Sequence, residues 1–148
     1  MRFLALFGLM TMLAGCGTLR SVSSDGLVKV LPHYLDEKGR HSQGPLLLDR
    51  DLYQDELRSS PELIKAVRYD VNWYGGGELK LRLEVRSSKA NVKPLILEET
   101  VQAKRLRSHW TSIKIGPEQY TALGQPESWR VTLWRGEEMV AEQKSFLW

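Results

Sequence analysis

Two histidines and two carboxylates lie in one polar stretch of the sequence, and these are side chains from which a metal site would be built. They are His33, Asp36, Glu37 and His41. Imidazole and carboxylate groups bind Zn²⁺, so a metal-assisted hydrolase centred on 33–41 is one hypothesis. The short ligand spacings that are typical of zinc sites are absent, and the remaining histidine, His109, is distant in sequence. We therefore favour a solvated polar loop and keep the hydrolase as the alternative.

Other sequence patterns of catalysis are missing. The chain has no G-x-S-x-G nucleophile elbow. The glycines at 75–77 are not followed by the Lys-Ser/Thr pair of a phosphate-binding loop. We expect a protein that is not an enzyme, with no catalytic residues, no bound metal and no cofactor.

The first sixteen residues have the pattern of an export signal. Arg2 precedes an apolar run over 3–13, which is shorter than the about 20 residues of a membrane-spanning helix. The stretch Leu13-Ala14-Gly15-Cys16 then resembles the lipobox of bacterial lipoproteins. This resemblance implies that 1–15 is a signal peptide, which is cleaved before Cys16, and that Cys16 carries a diacylglycerol and a further fatty acid such as palmitate.

Lipidation of Cys16 would place the protein in the bacterial cell envelope. Two or more acyl chains give stable membrane anchoring, whereas one chain gives only reversible binding. In the lipoprotein sorting scheme that the resemblance implies, Gly17 favours the periplasmic face of the outer membrane over the inner membrane. Residues 17–26 are small and polar, so we expect the lipidated Cys and a flexible tether over 16–26. Export excludes nucleic acid as a partner.

Five tryptophans are candidates for the core or for a binding surface. Trp73, Trp110 and Trp129 have apolar neighbours at a period of two, which predicts burial. The remaining two, together with two nearby arginines, have the composition of an interface; they are Trp134, Trp148, Arg130 and Arg135. The alternative for these two tryptophans is a second hydrophobic layer.

A basic surface is a further possibility that the sequence raises. It would consist of Lys80, Arg82, Arg86 and the KRLR stretch at 104–107, and it would attract anionic headgroups or other polyanions. Glutamates are interleaved with these residues, so we favour a solvated face of mixed charge.

The clearest structural pattern is a pair of alternating segments in the middle of the chain. In 66–74 and 78–86, hydrophobic and polar residues alternate, and three glycines at 75–77 separate the two segments. This pattern predicts an antiparallel hairpin with one face in contact with water. Composition supports a folded domain, because 42% of the 148 residues are hydrophobic and 26% are charged, with a net charge of +3.

The other elements follow from weaker patterns. We predict a first strand over 27–31 that ends at Pro32, a loop over 33–45, and a helix over 49–58 with Asp49 as its N-cap. One further helical turn is predicted after Ser60, and another at 117–123. The remaining strands are expected at 92–103 (with Pro94 indicating an edge or bulge), 109–115, 128–135 and 139–148. The parity of the last strand is mixed, which indicates either a bulge or a strand that is apolar on both faces.

Together these elements predict an all-β fold. About seven strands at this spacing, with a helical insertion after the first, resemble an immunoglobulin-like antiparallel β-sandwich that forms one domain over 27–148. The function that we expect is that of a non-catalytic envelope lipoprotein, a membrane-tethered binding or structural module whose partner is an envelope protein or polymer. Two alternatives to this function are kept. One is an accessory lipoprotein of a secretion or assembly complex, and the other is the metal-assisted hydrolase described above.

Overall fold

The computed structural model describes residues 25–103 and 107–148, which form two antiparallel β-sheets packed face to face. The strands are β1 (Gly26–Leu35), β2 (Ala66–Tyr74), β3 (Gly77–Ser87), β4 (Leu95–Ala103), β5 (Ser108–Ile115), β6 (Pro126–Arg135) and β7 (Glu138–Lys144). The smaller sheet has the order β1-β2-β5 and the larger the order β4-β3-β6-β7. The predicted seven-stranded, immunoglobulin-like sandwich is confirmed. No helix in these two described ranges is long and apolar enough to cross a membrane.

The core lies between the two sheets and is formed by the alternation that the sequence displays. In β2, four residues at a period of two are almost fully buried, and the same holds in β3. They are Val67, Tyr69, Val71 and Trp73, and Leu79, Leu81, Leu83 and Val85. Because successive side chains of a strand point to opposite faces, each of these strands has one face in the core and one toward solvent.

The predicted hairpin between β2 and β3 is wrong, because the two strands belong to different sheets. β2 pairs with β1 and β5, and β3 pairs with β4 and β6. The chain crosses from one sheet to the other at Gly75 and Gly76, both of which are buried. A Cβ atom at Gly75 would lie 2.5 Å from the side chain of Leu79, so a glycine is needed for this close crossing. An arch between sheets turns both apolar faces toward one core, which requires the same alternation as a hairpin.

The first strand is longer than the sequence indicates. It continues through Pro32, opposite Tyr69, to Leu35, so the prediction that Pro32 ends the strand and that a loop begins at His33 is wrong. β1 is an edge strand of its sheet. Proline is tolerated there because alternate backbone N–H groups of an edge strand have no partner strand.

The insertion after β1 contains the helix α1 (Leu47–Ser59) and a 3-10 turn (Pro61–Leu63). Asp49 is the third residue of α1 and not its N-cap, which is Leu46. The Asp49 carboxylate instead accepts a hydrogen bond of 3.0 Å from the backbone N–H of Leu46. The helix packs on the rest of the chain through Tyr53 and Leu57.

The last third of the sandwich follows the predicted elements, with one correction. A short helix, α2 (Pro117–Leu123), ends at Gly124 with a φ of 77°. The final strand β7 ends at Lys144 and does not reach Trp148. Leu133 lies opposite Ala141, but Trp134 lies opposite Met139, so the residue between them forms a bulge. The bulge is one of the two predicted explanations for the mixed parity of this strand.

Candidate binding cleft

A wide, shallow cleft of about 390 Å³, largely open to solvent, lies on the outer face of the smaller sheet, where the insertion folds back over the strands. Strands β1, β2 and β5, the loop after β1, and α1 all contribute to it. The lining residues are Leu31, His33, His41, Arg50, Arg68, Asp70, Trp110 and Ser112. The volume is near the lower end of the range for small-molecule sites, about 300–1,000 Å³.

Register brings the central polar residues of the cleft together. His33 of β1 lies opposite Arg68 of β2, and Asp70 of β2 lies opposite Ser112 of β5. Asp70 accepts hydrogen bonds from His33 Nδ1 at 3.1 Å, from Ser112 Oγ at 2.5 Å, and from Arg68 Nε and Nη2 at 3.1 and 2.8 Å. These four donors hold the carboxylate in one orientation on the floor of the cleft.

The charge of Asp70 is stabilised by the same contacts. Burial acts to raise the pKa of Asp70, but the hydrogen bonds from Ser112 and Arg68 and the positive charge of Arg68 outweigh it, so the pKa lies below its usual value. A carboxylate that accepts several hydrogen bonds stays ionised over a wide pH range. The floor of the cleft is therefore a fixed anion surrounded by donors.

The pKa values of both histidines in the cleft lie below the ordinary value of an imidazole. Burial is the main reason that the pKa of His33 is lowered, with Asp70 opposing it and His41 and Arg68 adding to it. The pKa of His41 is also lowered, mainly by burial and then by Arg68. Their ring centroids are 5.2 Å apart. Gln54 of α1 fixes the loop here, because its Nε2 donates to the carbonyl of His41 at 2.9 Å.

Trp110 forms one wall of the cleft and is 57% exposed, so its predicted place in the core is wrong. In β5, the side chains of Thr111, Ile113 and Ile115 face the core. Trp110 and Ser112 alternate with them and face the outer side of the sheet. Apolar residues occur at both parities of this strand, and only the pairing with β2 decides which face is buried. Of the other predicted core tryptophans, Trp73 is buried and Trp129 packs partly against the core.

The four residues of the metal hypothesis do not converge. His33 and His41 meet in the cleft, but Asp36 binds elsewhere: it accepts hydrogen bonds from the Arg40 side chain at 2.8 Å and from the Tyr53 hydroxyl at 2.7 Å. Burial opposes these contacts and the bond from the Arg40 backbone N–H, yet together they lower the pKa of Asp36 to about 2. Glu37 is exposed. Within residues 25–103 and 107–148, no group of three or more His, Cys, Asp or Glu side chains is arranged to hold a metal ion.

A serine, an aspartate and a histidine meet in the cleft, but their order differs from that of a hydrolytic triad. In a triad the histidine lies between the two other residues and removes the serine proton. Here Asp70 lies in the middle, and the hydroxyl of Ser112 donates to the carboxylate. This arrangement orients donors and does not activate Ser112 as a nucleophile.

Three of the four residues of the predicted binding surface, Arg130, Trp134 and Trp148, lie on the outer face of the larger sheet, and Arg135 has the opposite parity at the end of β6. Trp148 lies between the guanidinium groups of Arg86 and Arg130, which are 3.9 and 4.9 Å from its ring centroid. Trp134 donates through Nε1 to the buried hydroxyl of Thr132 at 2.8 Å. Arg135 lies at the end of β6, where its Nε and Nη2 bind the carboxylate of Asp25 at 2.8 and 2.6 Å.

The outer face of the larger sheet has mixed charge, which agrees with the favoured interpretation of its basic residues. Lys80 and Arg82 lie 3.6 and 3.9 Å from Glu98, and Arg130 lies 2.8 Å from Glu84. Residues 104–106 of the KRLR stretch and the lipobox with Cys16 fall outside the described residues.

Several cleft residues escaped sequence reasoning. The loop histidines stood out by type, but Arg68, Asp70 and Ser112 were ordinary polar positions of alternating strands. The sequence showed which residues of β2 face outward, but it did not show which strands lie beside β2.

In comparisons with known proteins, the chain matches no family model, no curated protein and no solved structure.

Proposed function

We propose that this protein is a non-catalytic, lipid-anchored binding module of the bacterial cell envelope, and that the cleft at Trp110 is its binding site. The observation that carries the proposal is the cleft itself: an exposed indole stands beside polar groups that are already held in place by hydrogen bonds. Preorganised polar groups next to an apolar wall are the usual composition of a binding site.

The end of the sandwich at which β1 begins supports one orientation of the domain relative to the membrane. Asp25, the first described residue, is buried and held by Arg135 beside the crossing at Gly75 and Gly76; Arg135 also donates to the carbonyl of Gly76 at 2.8 Å. Cys16 is nine residues before Asp25, and even a fully extended chain of that length reaches only roughly 30 Å. If Cys16 is lipidated, this end of the sandwich faces the membrane, and the insertion with α1 lies at the opposite end.

This orientation leaves the cleft accessible to an envelope component. The cleft opens on the side of the sandwich and is bounded by the insertion. Trp110 lies opposite Asn72, two positions along β2 from Tyr74 at the end where β1 begins, and His33 lies farther toward the insertion, opposite Arg68. A partner protein or polymer in the periplasm would approach Trp110 from the side of the sandwich, across the outer face of the smaller sheet. The hydroxyl of Ser112 donates its hydrogen bond to Asp70 and not to a histidine, and this arrangement favours binding over acyl transfer.

Position-specific photo-crosslinking in intact cells tests the proposal. A photoreactive amino acid replaces Lys114, which is exposed on the same face of β5 as Trp110, and in a matched control it replaces Thr100, which is exposed on β4. We expect a discrete adduct in the membrane fraction from position 114, its loss when Trp110→Ala is added, and none from position 100. An absence of adducts from 114, or equal adducts from both positions, would contradict the proposal.

A further inference from the structure

The hydrogen-bonding groups of the cleft differ in how much capacity they have left for a ligand. Asp70 accepts three bonds at Oδ2 and one at Oδ1, so little acceptor capacity remains on the carboxylate. Arg68 uses Nε and Nη2 for Asp70, and a guanidinium has five N–H donors in total. What the cleft offers a ligand is therefore mainly donors.

Arg50 adds a second guanidinium on the α1 side of the cleft. Its Nε and Nη2 bind Oδ1 of Asp51 at 3.0 and 2.8 Å, and the Asp51 side chain is 63% exposed. Exposed pairs of this kind contribute only about 0–1 kcal/mol, so Arg50 exchanges such a partner for a ligand anion at little cost. Two guanidinium groups thus border a cleft whose own carboxylate is already satisfied.

Trp110 defines the other half of the ligand. Its exposed indole is a flat apolar surface on which a ring with an apolar face can stack, and aromatic side chains of this kind combine apolar area with little conformational freedom. A ligand that matches both halves has a ring with an apolar face and a substituent that carries negative charge.

We infer that the cleft binds an acidic saccharide, with one sugar ring stacked on Trp110 and its carboxylate between Arg50 and Arg68. The inference rests on the proposed function and names the chemical class of its partner. Guanidinium groups bind carboxylates through paired, charge-assisted hydrogen bonds, which neutral sugars do not form. The size of the cleft suits a short oligosaccharide segment.

Titration calorimetry on the full chain tests this inference, in a polyoxyethylene detergent so that no sugar headgroup competes. The probes are N-acetylglucosaminyl-N-acetylmuramic acid, a wall disaccharide, and 3-deoxy-octulosonic acid, a sugar acid of lipopolysaccharide. The neutral comparison is diacetylchitobiose, which lacks the lactyl carboxylate of the first probe. We expect saturable binding of at least one acidic probe, at least about tenfold tighter than that of diacetylchitobiose. Which acidic probe binds identifies the source of the ligand.

Three variants assign the binding to the cleft. Trp110→Ala and Arg50→Gln should each weaken binding by about tenfold, since each removes one half of the recognition. Arg58→Gln removes the same charge from the same helix, but Arg58 does not line this cleft, and we expect its effect to stay within about twofold. Circular dichroism verifies that all three variants are folded.

Two results would overturn the inference: no saturable binding of either acidic probe, or binding that Trp110→Ala and Arg50→Gln leave unchanged. Equal affinity for diacetylchitobiose would likewise refute the role of the carboxylate. If these results occur while the Lys114 position still forms its adduct in cells, the saccharide assignment fails and the proposed binding function stands.

Discussion

Replacing Tyr53 with phenylalanine removes one hydroxyl from the contact that holds α1 against the loop after β1. This hydroxyl donates to Oδ2 of Asp36 at 2.7 Å, and the two residues are 6% and 8% exposed. Burial and the adjacent carboxylate raise the pKa of Tyr53, so the hydroxyl is protonated and acts as the donor. The substitution changes the volume of the side chain only a little, so the loss of the hydrogen bond dominates its effect on stability.

A hydrogen bond to a charged group contributes about 1.5–3 kcal/mol. Asp36 keeps the bonds from the backbone N–H and the Nε of Arg40, both at 2.8 Å, so the carboxylate is not left without partners. We therefore expect Tyr53→Phe to lower the free energy of unfolding by about 1.5–2 kcal/mol at pH 6, near the lower end of that range. Urea unfolding followed by circular dichroism measures this change.

The pH dependence of the same variant gives a second test. The pKa of Asp36 is about 2 in the folded protein and 3.8 ordinarily, so its ionised form stabilises the fold above pH 3.8 and this contribution is lost as pH falls toward 2. Loss of the Tyr53 hydroxyl raises the pKa of Asp36. The difference between the native protein and Tyr53→Phe should be constant above about pH 5 and shrink below pH 4.

The matched control is Tyr74→Phe, in which the same hydroxyl is removed from a residue that is 41% exposed. Its effect should stay within about 0.5 kcal/mol at every pH. If the two variants lose the same stability, or if the effect of Tyr53→Phe grows as the pH falls, the reasoning about Asp36 is refuted.

Two further predictions concern the core and the anchor. Trp73→Ala should lower the free energy of unfolding by about 3–5 kcal/mol, because Trp73 is 2% exposed. Trp110→Ala should cost clearly less, because Trp110 is 57% exposed; equal losses in urea unfolding would mean that the register of β5 is wrong. Cys16→Ser should abolish incorporation of labelled palmitate in cells, because the chain has no second cysteine to accept a lipid; persistent labelling would refute the lipobox.

Alternation along single strands was enough to predict which residues of β2 and β3 are buried and that the fold is a sandwich. It was not enough to predict that these strands lie in different sheets. Alternation with a period of two shows which side of a strand faces the core. It cannot distinguish a hairpin from an arch, because both connections place the apolar sides of the two strands in the same core. Whether two consecutive strands form a hairpin or an arch depends on which strands pair with their edges. The partners of β2 are β1 and β5, which come from distant parts of the chain.

The cleft shows the same division between sequence and tertiary structure. The sequence alone determined the residue types and the buried side of β2 and β3, and it brought His33 and His41 into one candidate group because they are close along the chain. The contact of Asp70 with Ser112 joins residues 42 positions apart, and that of Asp70 with His33 joins residues 37 apart. Strand register sets both contacts, and register is fixed by packing across the whole sheet. Only the tertiary structure therefore decided that Trp110 faces the solvent and that a carboxylate of β2 completes the site.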